Sequence, residues 1–305
     1  MINSRLLYKL ESIREIPTIP TVTNEILASL DNPSIGAGAI AKLIEHDQSL
    51  TVRVLRVANS PFYGFSRTIN TVELAIIIMG VNTIREIILS LVIQKFFLRI
   101  RLSVFDIKSF WQYTLFCGAC SRLLARKLGY RLAGEAFIAG LMHDVGILII
   151  VEHFTQQYLQ IKDIVTRKNL TYTQAEEIAL GATHCEIGAW LAERWNFPER
   201  FCQATANHHT PYVNLNPQND GAVDFDEIDQ PVTAIVSIAE WLAADMGFKS
   251  WSDERVPPPL YLGDEIFHDA QSDDIYEDNT ALDLLKKEIM EEFERTFVFN
   301  EFLNK

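Results

Sequence analysis

Four histidines and one aspartate are spaced so that they could meet at a single site. They are the adjacent residues His143 and Asp144, then His184, and then the adjacent residues His208 and His209. Neighbours on a regular helix point about 100° apart, so His143 and Asp144 can face one centre only if a helix ends there. Gly140 and Gly146 stand on either side of the pair, and we expect them to permit that end.

These residue types support two interpretations. A carboxylate beside imidazoles from several helices suits a first-row transition ion such as iron, manganese or zinc, and a shared carboxylate can bridge two ions. Alternatively, each histidine packs in a helix interface and finds a hydrogen bond there, as most half-buried histidines do. The spacing leaves both interpretations open.

The composition indicates a globular chain that does not bind nucleic acid. Of 305 residues, 48% are hydrophobic and 22% are charged, which is enough apolar material for one or two sizeable cores. The formal net charge of -13 argues against nucleic-acid binding, which needs clustered Lys and Arg. Most of the acidic excess falls in residues 220–280, which either dock a basic partner surface or are simply solvated.

Cysteine usage and the N-terminal sequence predict a cytoplasmic protein without a membrane span. The cysteines are Cys117, Cys120, Cys185 and Cys202, too few for a disulfide scaffold in a chain of this length. The N-terminus lacks a signal-peptide-like apolar stretch, and polar residues interrupt the apolar run 72–97. Cys117 and Cys120 have the spacing of a redox motif, but they lie well inside a predicted helix, where we expect them to pack.

Helical periodicity throughout the chain predicts an all-α, two-lobed fold. Ser34 is expected to cap one early helix, Asn70 with Glu73 resembles a capping box for another, and Asp106 is expected to cap a helix over 107–128. Apolar faces are predicted for Leu50, Val54, Val57 and Ala58 and, in a final helix over 281–297, for Leu284, Leu285, Ile289 and Phe293. Between these, helices are expected at about 82–97, 134–143, 146–167, 173–180, 184–195, 198–208 and 231–246.

The predicted elements divide into an N-terminal helical lobe over 1–102, a second helical lobe over 103–247, and an acidic irregular segment with a C-terminal helix over 248–305. The five residues of the histidine cluster all fall in the second lobe. We therefore expect that lobe to carry the chemistry.

The order of motifs resembles a known family. EAFIAGLMHDVG, ATHCEIGAWLAERWNFPE and NHHTP are similar to the HD-type metal-dependent phosphohydrolase lobe. IPTIPTV, LIEHDQSLTVRVLRVANSPFYG and INTVELAIIIMGVNTIREIIL resemble the HDOD domain, the HD-related output domain of bacterial signalling proteins. The resemblance covers residues 13–212, with 231–246 as an extension, and implies an all-helical two-lobed fold with a role in signal transduction or gene regulation.

The resemblance also implies a set of metal ligands. The HD pattern matches His143, Asp144, His184, His208 and His209, and places Glu240 at an acidic position. One ion would use a further histidine together with His143, Asp144 and Glu240. The other would use Asp144 and the three downstream histidines.

Three positions depart from the HD pattern. The further histidine is expected at or next to Tyr113, where the sequence FWQYTLF contains none. Glu240 stands where an aspartate is usual, and Ile147 stands where active phosphodiesterase relatives with an HD-GYP signature carry a lysine. The first ion's ligand set is therefore degraded, whereas the second is nearly complete.

The leading hypothesis is a regulatory, non-enzymatic protein that acts through protein partners in a signalling pathway. Its pocket would be a structural or ligand-sensing remnant with room for one ion of iron, manganese or zinc. One alternative is a metal-dependent phosphohydrolase acting on nucleotides or cyclic dinucleotides through a metal-bound hydroxide. A further alternative is a sensor that binds nucleotides in the same cavity without hydrolysis.

Overall fold

Helices form the regular secondary structure of the described residues, as the all-α prediction requires. A computed structural model of the chain describes residues 2, 4–13, 23–26, 29, 34–60, 63–100, 102–210, 231–248 and 279–304. The first helices are α1 (Ser4–Ser12), α2 (Ala37–Glu45), α3 (Gln48–Ala58), α4 (Val72–Met79) and α5 (Val81–Arg99). They are followed by α6 (Ile107–Lys127), α7 (Ala133–Met142), α8 (Val145–His153), α9 (Thr155–Lys168), α10 (Tyr172–Leu180), α11 (His184–Arg194), α12 (Glu199–Asn207), α13 (Pro231–Asp245) and α14 (Asn279–Asn304).

The chain divides into two units. The larger unit comprises Met1–Ile16 and Phe97–Met290, and the smaller unit comprises Pro17–Phe96 and Glu291–Lys305. The division falls inside α5 and α14, whereas the sequence analysis places its lobe boundaries at 102/103 and 247/248. The histidine cluster lies entirely in the larger unit.

The smaller unit has an aliphatic core built by α2 to α5. The predicted face of α3 is confirmed, because Leu50, Val54, Val57 and Ala58 are all buried in that core. Two predicted caps are wrong. Helix α4 is capped by Thr71, whose hydroxyl accepts from the backbone N–H of Leu74 and whose backbone is extended, as an N-cap requires. Helix α2 begins after Gly36 and not after Ser34.

The larger unit is organised around α6, which packs against α7 and α13. The carboxylate of Asp106 accepts hydrogen bonds from the backbone N–H groups of Lys108 and Ser109, which confirms the predicted cap of this helix. In the same unit, α11 packs against α8 and α12, and α12 packs against α13. These contacts position the segments that carry the histidines.

Two details of the larger unit differ from the sequence analysis. The predicted helix over 146–167 is two helices, because Phe154 adopts a non-helical conformation (φ -130°, ψ 41°) with its side chain buried. In α14, Leu285 and Ile289 are buried while Leu284 is 58% exposed. Since adjacent helical positions point in different directions, the buried stripe is narrower than predicted.

A helix ends between His143 and Asp144, as expected. His143 closes α7, and Asp144 (φ -98°, ψ 14°) precedes α8. The neighbouring glycines are needed for a different reason from the one predicted, since neither has positive φ. A Cβ on Gly146 would overlap the carbonyl oxygen of His184 and lie 2.7 Å from the backbone nitrogen of Gly188. One on Gly140 would lie 2.6 Å from the hydroxyl oxygen of Ser121.

One described segment, Ala133–His153, has the length and apolar character of a membrane span. Its window is 89% buried inside the fold, as the window of a core helix is, so it is weak evidence for such a span. Val72–Met79 and Val81–Phe97 meet the same criterion only as a pair, and they are bent by 118°. Most of the acidic stretch 220–280 lies outside the described residues.

The close approach of α8 and α11 predicts that Gly146 tolerates no side chain. We expect Gly146→Ala to destabilise the fold by about 3 kcal/mol or more, because the added methyl group forces the two backbones apart. Gly36→Ala is the matched control, since a Cβ there meets nothing within 4 Å, and its cost should stay below about 1 kcal/mol. Urea denaturation measures both. Equal stability of the two variants would contradict the packing argument.

Candidate metal centre

The structure brings together the side chains that the sequence analysis singled out. His143 and Asp144 come from the turn between α7 and α8, His184 is the first residue of α11, and His208 and His209 directly follow α12. The side chains of His143, Asp144, His184 and His208 are at most 1% exposed, whereas that of His209 is 25% exposed. The cluster is therefore a buried pocket with His209 at its edge.

The carboxylate of Asp144 lies at the centre of this pocket. Its Oδ2 is 3.2 Å from Nε2 of His143. Its Oδ1 is 3.2 Å from Nε2 of His184 and 3.5 Å from Nε2 of His208. Three imidazoles from separate parts of the chain thus direct the same ring nitrogen toward one carboxylate.

The other ring nitrogen of each of these histidines is held from outside the pocket. Nδ1 of His143 lies 2.7 Å from the carbonyl oxygen of Gly140, and Nδ1 of His208 lies 2.9 Å from that of Thr205. Because a carbonyl oxygen only accepts, Nδ1 must be the donor, and in the neutral ring Nε2 then carries the lone pair. Metal-binding histidines are oriented in this way, with the outer N–H fixed by an acceptor.

Glu176 holds the outer ring nitrogen of His184, and here the acceptor is a carboxylate instead of a backbone carbonyl group. Its Oε2 accepts from Nδ1 of His184 at 2.8 Å and from the backbone N–H of His184 at 2.9 Å. The carboxylate therefore fixes the ring of His184 and also satisfies a free N–H at the start of α11. The sequence analysis missed Glu176. Its place eight residues before His184 is visible in the sequence, but nothing there shows that the turn between α10 and α11 folds it back.

The pocket concentrates positive charge around Asp144. Burial by itself would raise the pKa of Asp144, but the charge of His143 and hydrogen bonds from His143, His184 and His208 hold it well below its ordinary value. Burial favours the neutral form of His184, yet the charges of Cys185 and Glu176 raise its pKa well above the ordinary value. The pKa of His208 is raised against burial by Cys185 and Asp144. Hydrogen bonds from the surrounding imidazoles thus stabilise the charged form of the buried carboxylate.

His209 and Glu240 form the edge of the pocket. Nε2 of His209 lies 3.1 Å from Nε2 of His184, and Nδ1 lies 3.6 Å from Oε2 of Glu240. Burial and the neighbouring positive charges of His208 and His184 lower the pKa of His209 well below its usual range. Burial raises the pKa of Glu240 to about 7, although the charge of His208 opposes it. His209 therefore offers a neutral ring to a cation.

Among the residues that the structure describes, two groups of side chains have ligand atoms close enough to share an ion. One group is His143, Asp144 and His208, and the other is His184, Cys185, His208 and His209. Within each group the ligand atoms lie within 4.8 Å of one another. Of the predicted ligands, Glu240 belongs to neither group. Imidazole, carboxylate and thiol donors together fit a transition-metal ion.

Cys185 is a second residue that the sequence analysis missed. Its sulfur is buried 3.4 Å from Nε2 of His184 and 3.9 Å from Nε2 of His208. Burial alone would raise the pKa of this thiol, but the positive charges of His184 and His208 lower it to about 6. Its position beside His184 at a helix start was the available signal.

Tyr113 lies beside His143, at the place where the HD pattern expects a further histidine. Its hydroxyl oxygen lies 3.3 Å from Nε2 of His143. Burial and the nearby charge of Cys117 raise the pKa of Tyr113 well above its ordinary value, so the phenol stays neutral beside that nitrogen. A hydroxyl group therefore lies against Nε2 of His143, where the HD pattern expects a further imidazole.

The remaining sequence candidates are packed into the core. Ile147, at the position where relatives carry a lysine, is 1% exposed in α8. Cys117 and Cys120 are buried in the middle of α6, and burial raises the pKa of both thiols. Both cysteines are therefore packing residues, as expected.

The chain is therefore an all-helical protein with a buried histidine–carboxylate pocket. Comparison with known proteins identifies its family. The sequence profile of the HDOD domain matches residues 16–211, and the chain belongs to this family. An uncharacterized protein of Treponema pallidum is 24% identical over 200 residues, which cover 65% of this chain and 38% of that protein. The chain thus spans well under half the length of this curated relative.

Two solved structures show the same fold. An HDOD domain protein of unknown function from Geobacter sulfurreducens aligns with a TM-score of 0.69 at 24% identity. The alignment covers 97% of this chain and 96% of the Geobacter chain. A candidate phosphohydrolase from Shewanella amazonensis has a TM-score of 0.69 at 23% identity, covering 98% of both chains. At these identities the likeness concerns the fold.

The two hydrogen bonds to Glu176 predict a strong effect of its removal. We expect Glu176→Ala to lower the free energy of unfolding of the chelator-treated protein by about 3 kcal/mol, because two buried donors of His184 lose their charged acceptor. Glu177→Ala, at the exposed next position of α10, is the matched control. If the two variants are equally stable in urea titrations, Glu176 does not hold His184.

Proposed function

We propose that this HDOD protein is a non-enzymatic regulator whose pocket holds one transition-metal ion and whose signal passes through protein partners. The contact between Tyr113 and His143 carries the proposal. A neutral phenol lies 3.3 Å from the ligand nitrogen that a first ion would need, while Nε2 of His184 and His208 both face Oδ1 of Asp144.

The ion would be held by Asp144, His184, His208 and His209. Nitrogen and oxygen donors in this ratio suit iron, manganese or zinc. When bound, the ion supplies a fixed positive charge beside the Asp144 carboxylate, in place of the protons on the imidazoles. Because its ligands come from three segments that are far apart in the chain, binding stabilises the folded state. Occupancy of the pocket can thus change the stability of the larger unit, which is a means of regulation without turnover.

The hydrolase alternative is less well supported by the side chains present. A two-metal hydrolytic centre would need a further histidine at or next to Tyr113, and the sequence there has none. Ile147 provides no charge for a substrate phosphate. The name of the Shewanella structure favours this alternative, but the shared fold by itself does not carry activity.

The first test is the metal content and the thermal stability of the protein. We expect one ion of zinc, iron or manganese per chain after reconstitution. At a free metal concentration 100 times Kd, binding should stabilise the metal-free protein by about 2.7 kcal/mol and raise its Tm. Asp144→Asn should abolish this increase, whereas His46→Ala, which removes an exposed histidine of the smaller unit, should retain it.

Elemental analysis and differential scanning calorimetry measure the two quantities. Absence of any transition metal after reconstitution, or two ions per chain, would contradict the one-ion proposal. Because His184 and His208 must lose protons to bind the ion, the affinity should also fall as the pH is lowered.

The second test is turnover. We expect the metal-loaded protein to hydrolyse cyclic dinucleotides and nucleotides no faster than its Asp144→Ala variant, because the ligand set for a second ion is incomplete. Chromatographic product analysis of both proteins, purified identically, separates their own activity from contamination. Hydrolysis that Asp144→Ala abolishes would establish the phosphohydrolase instead.

A further inference from the structure

Cys185 lies where the ligand nitrogens of the pocket converge. It is the second residue of α11 and is 5% exposed. Its sulfur approaches Nε2 of His184 at 3.4 Å and Nε2 of His208 at 3.9 Å. The outer nitrogens of both rings are fixed by Glu176 and Thr205, so these inner nitrogens are directed at the same space as the sulfur.

The spacing of these atoms is that of adjacent ligands around one ion. With metal–nitrogen and metal–sulfur bonds of about 2.0 and 2.3 Å, ligand–metal–ligand angles of about 90–110° separate two nitrogens by about 2.8–3.3 Å and a nitrogen from a sulfur by about 3.0–3.5 Å. The observed separations are 3.1 Å between Nε2 of His184 and Nε2 of His209, and 3.4 and 3.9 Å for the two nitrogen–sulfur pairs. A thiol that merely filled space would not need two such neighbours.

We propose that Cys185 is a thiolate ligand of the bound ion, beside Asp144 and the imidazoles of His184, His208 and His209. This inference rests on the proposed function, because it requires an ion in the pocket. It deepens that function by naming the class of ion. A thiolate prefers zinc, cobalt or ferrous iron over manganese, which favours oxygen ligands. The pocket thus selects a thiophilic ion.

Cobalt(II) tests the ligand directly, since it replaces zinc and gives a thiolate-to-metal charge-transfer band in the near ultraviolet when sulfur is bound. The metal-free protein is titrated with cobalt(II) chloride. We expect this band in the wild-type protein together with visible d–d bands. Cys185→Ser should retain the d–d bands and lose the charge-transfer band. Cys202→Ser is the matched control, because its sulfur contacts the carbonyl oxygen of Phe197 and belongs to neither group of ligand atoms, and it should retain both.

Competition with a chromogenic chelator gives the selectivity. We expect Cys185→Ser to bind zinc about 10- to 100-fold more weakly, with manganese affinity changed by less than about threefold. Cobalt bound by the wild type without the charge-transfer band would overturn the role of Cys185 and leave the one-ion proposal standing. Failure to bind cobalt or zinc at all would overturn both. The wild-type spectrum decides even if Cys185→Ser does not fold.

Discussion

The buried carboxylate of Asp144 is the constraint on which the pocket depends. An isolated charge in a protein interior costs several kcal/mol unless opposite charge and hydrogen bonds compensate it. Here the compensation comes from Nε2 of three histidines, each held by an acceptor behind it. Those acceptors belong to α7, α10 and α12, so the position of one carboxylate fixes the ends of several helices relative to one another.

Bringing these segments within 3.2–3.5 Å of Asp144 requires unusually close backbones. Gly146 and Gly188 allow α8 and α11 to touch, and Gly118 and Gly140 do the same for α6 and α7. In each case the missing Cβ leaves room for a backbone group of the neighbouring helix. The buried polar contacts therefore depend on the glycines, because the imidazoles reach the carboxylate only when the helices approach this closely.

Tyr113 illustrates how a single side chain changes the chemistry that a site can offer. A histidine would offer a lone pair to an ion, whereas Tyr113 places a neutral phenol 3.3 Å from Nε2 of His143. The ligand atoms that lie close together in this pocket come mainly from the start of α11 and from the residues that follow α12. The fold alone does not fix the chemistry of a site, which depends on the side chains that it places there.

The sequence by itself determined the helical class, the family, the break at His143–Asp144, and the four histidines and one aspartate that meet in the pocket, because periodicity, caps and motif spacing are local properties of the chain. Boundaries were less secure, since capping at Thr71 rather than Asn70 depends on backbone conformation. Only the tertiary structure decided the roles of Glu176, Cys185 and Gly146. Each role depends on an atom of another segment lying at a particular distance. A carboxylate becomes the support of His184, or a thiol a neighbour of His208, only when packing brings the segments together.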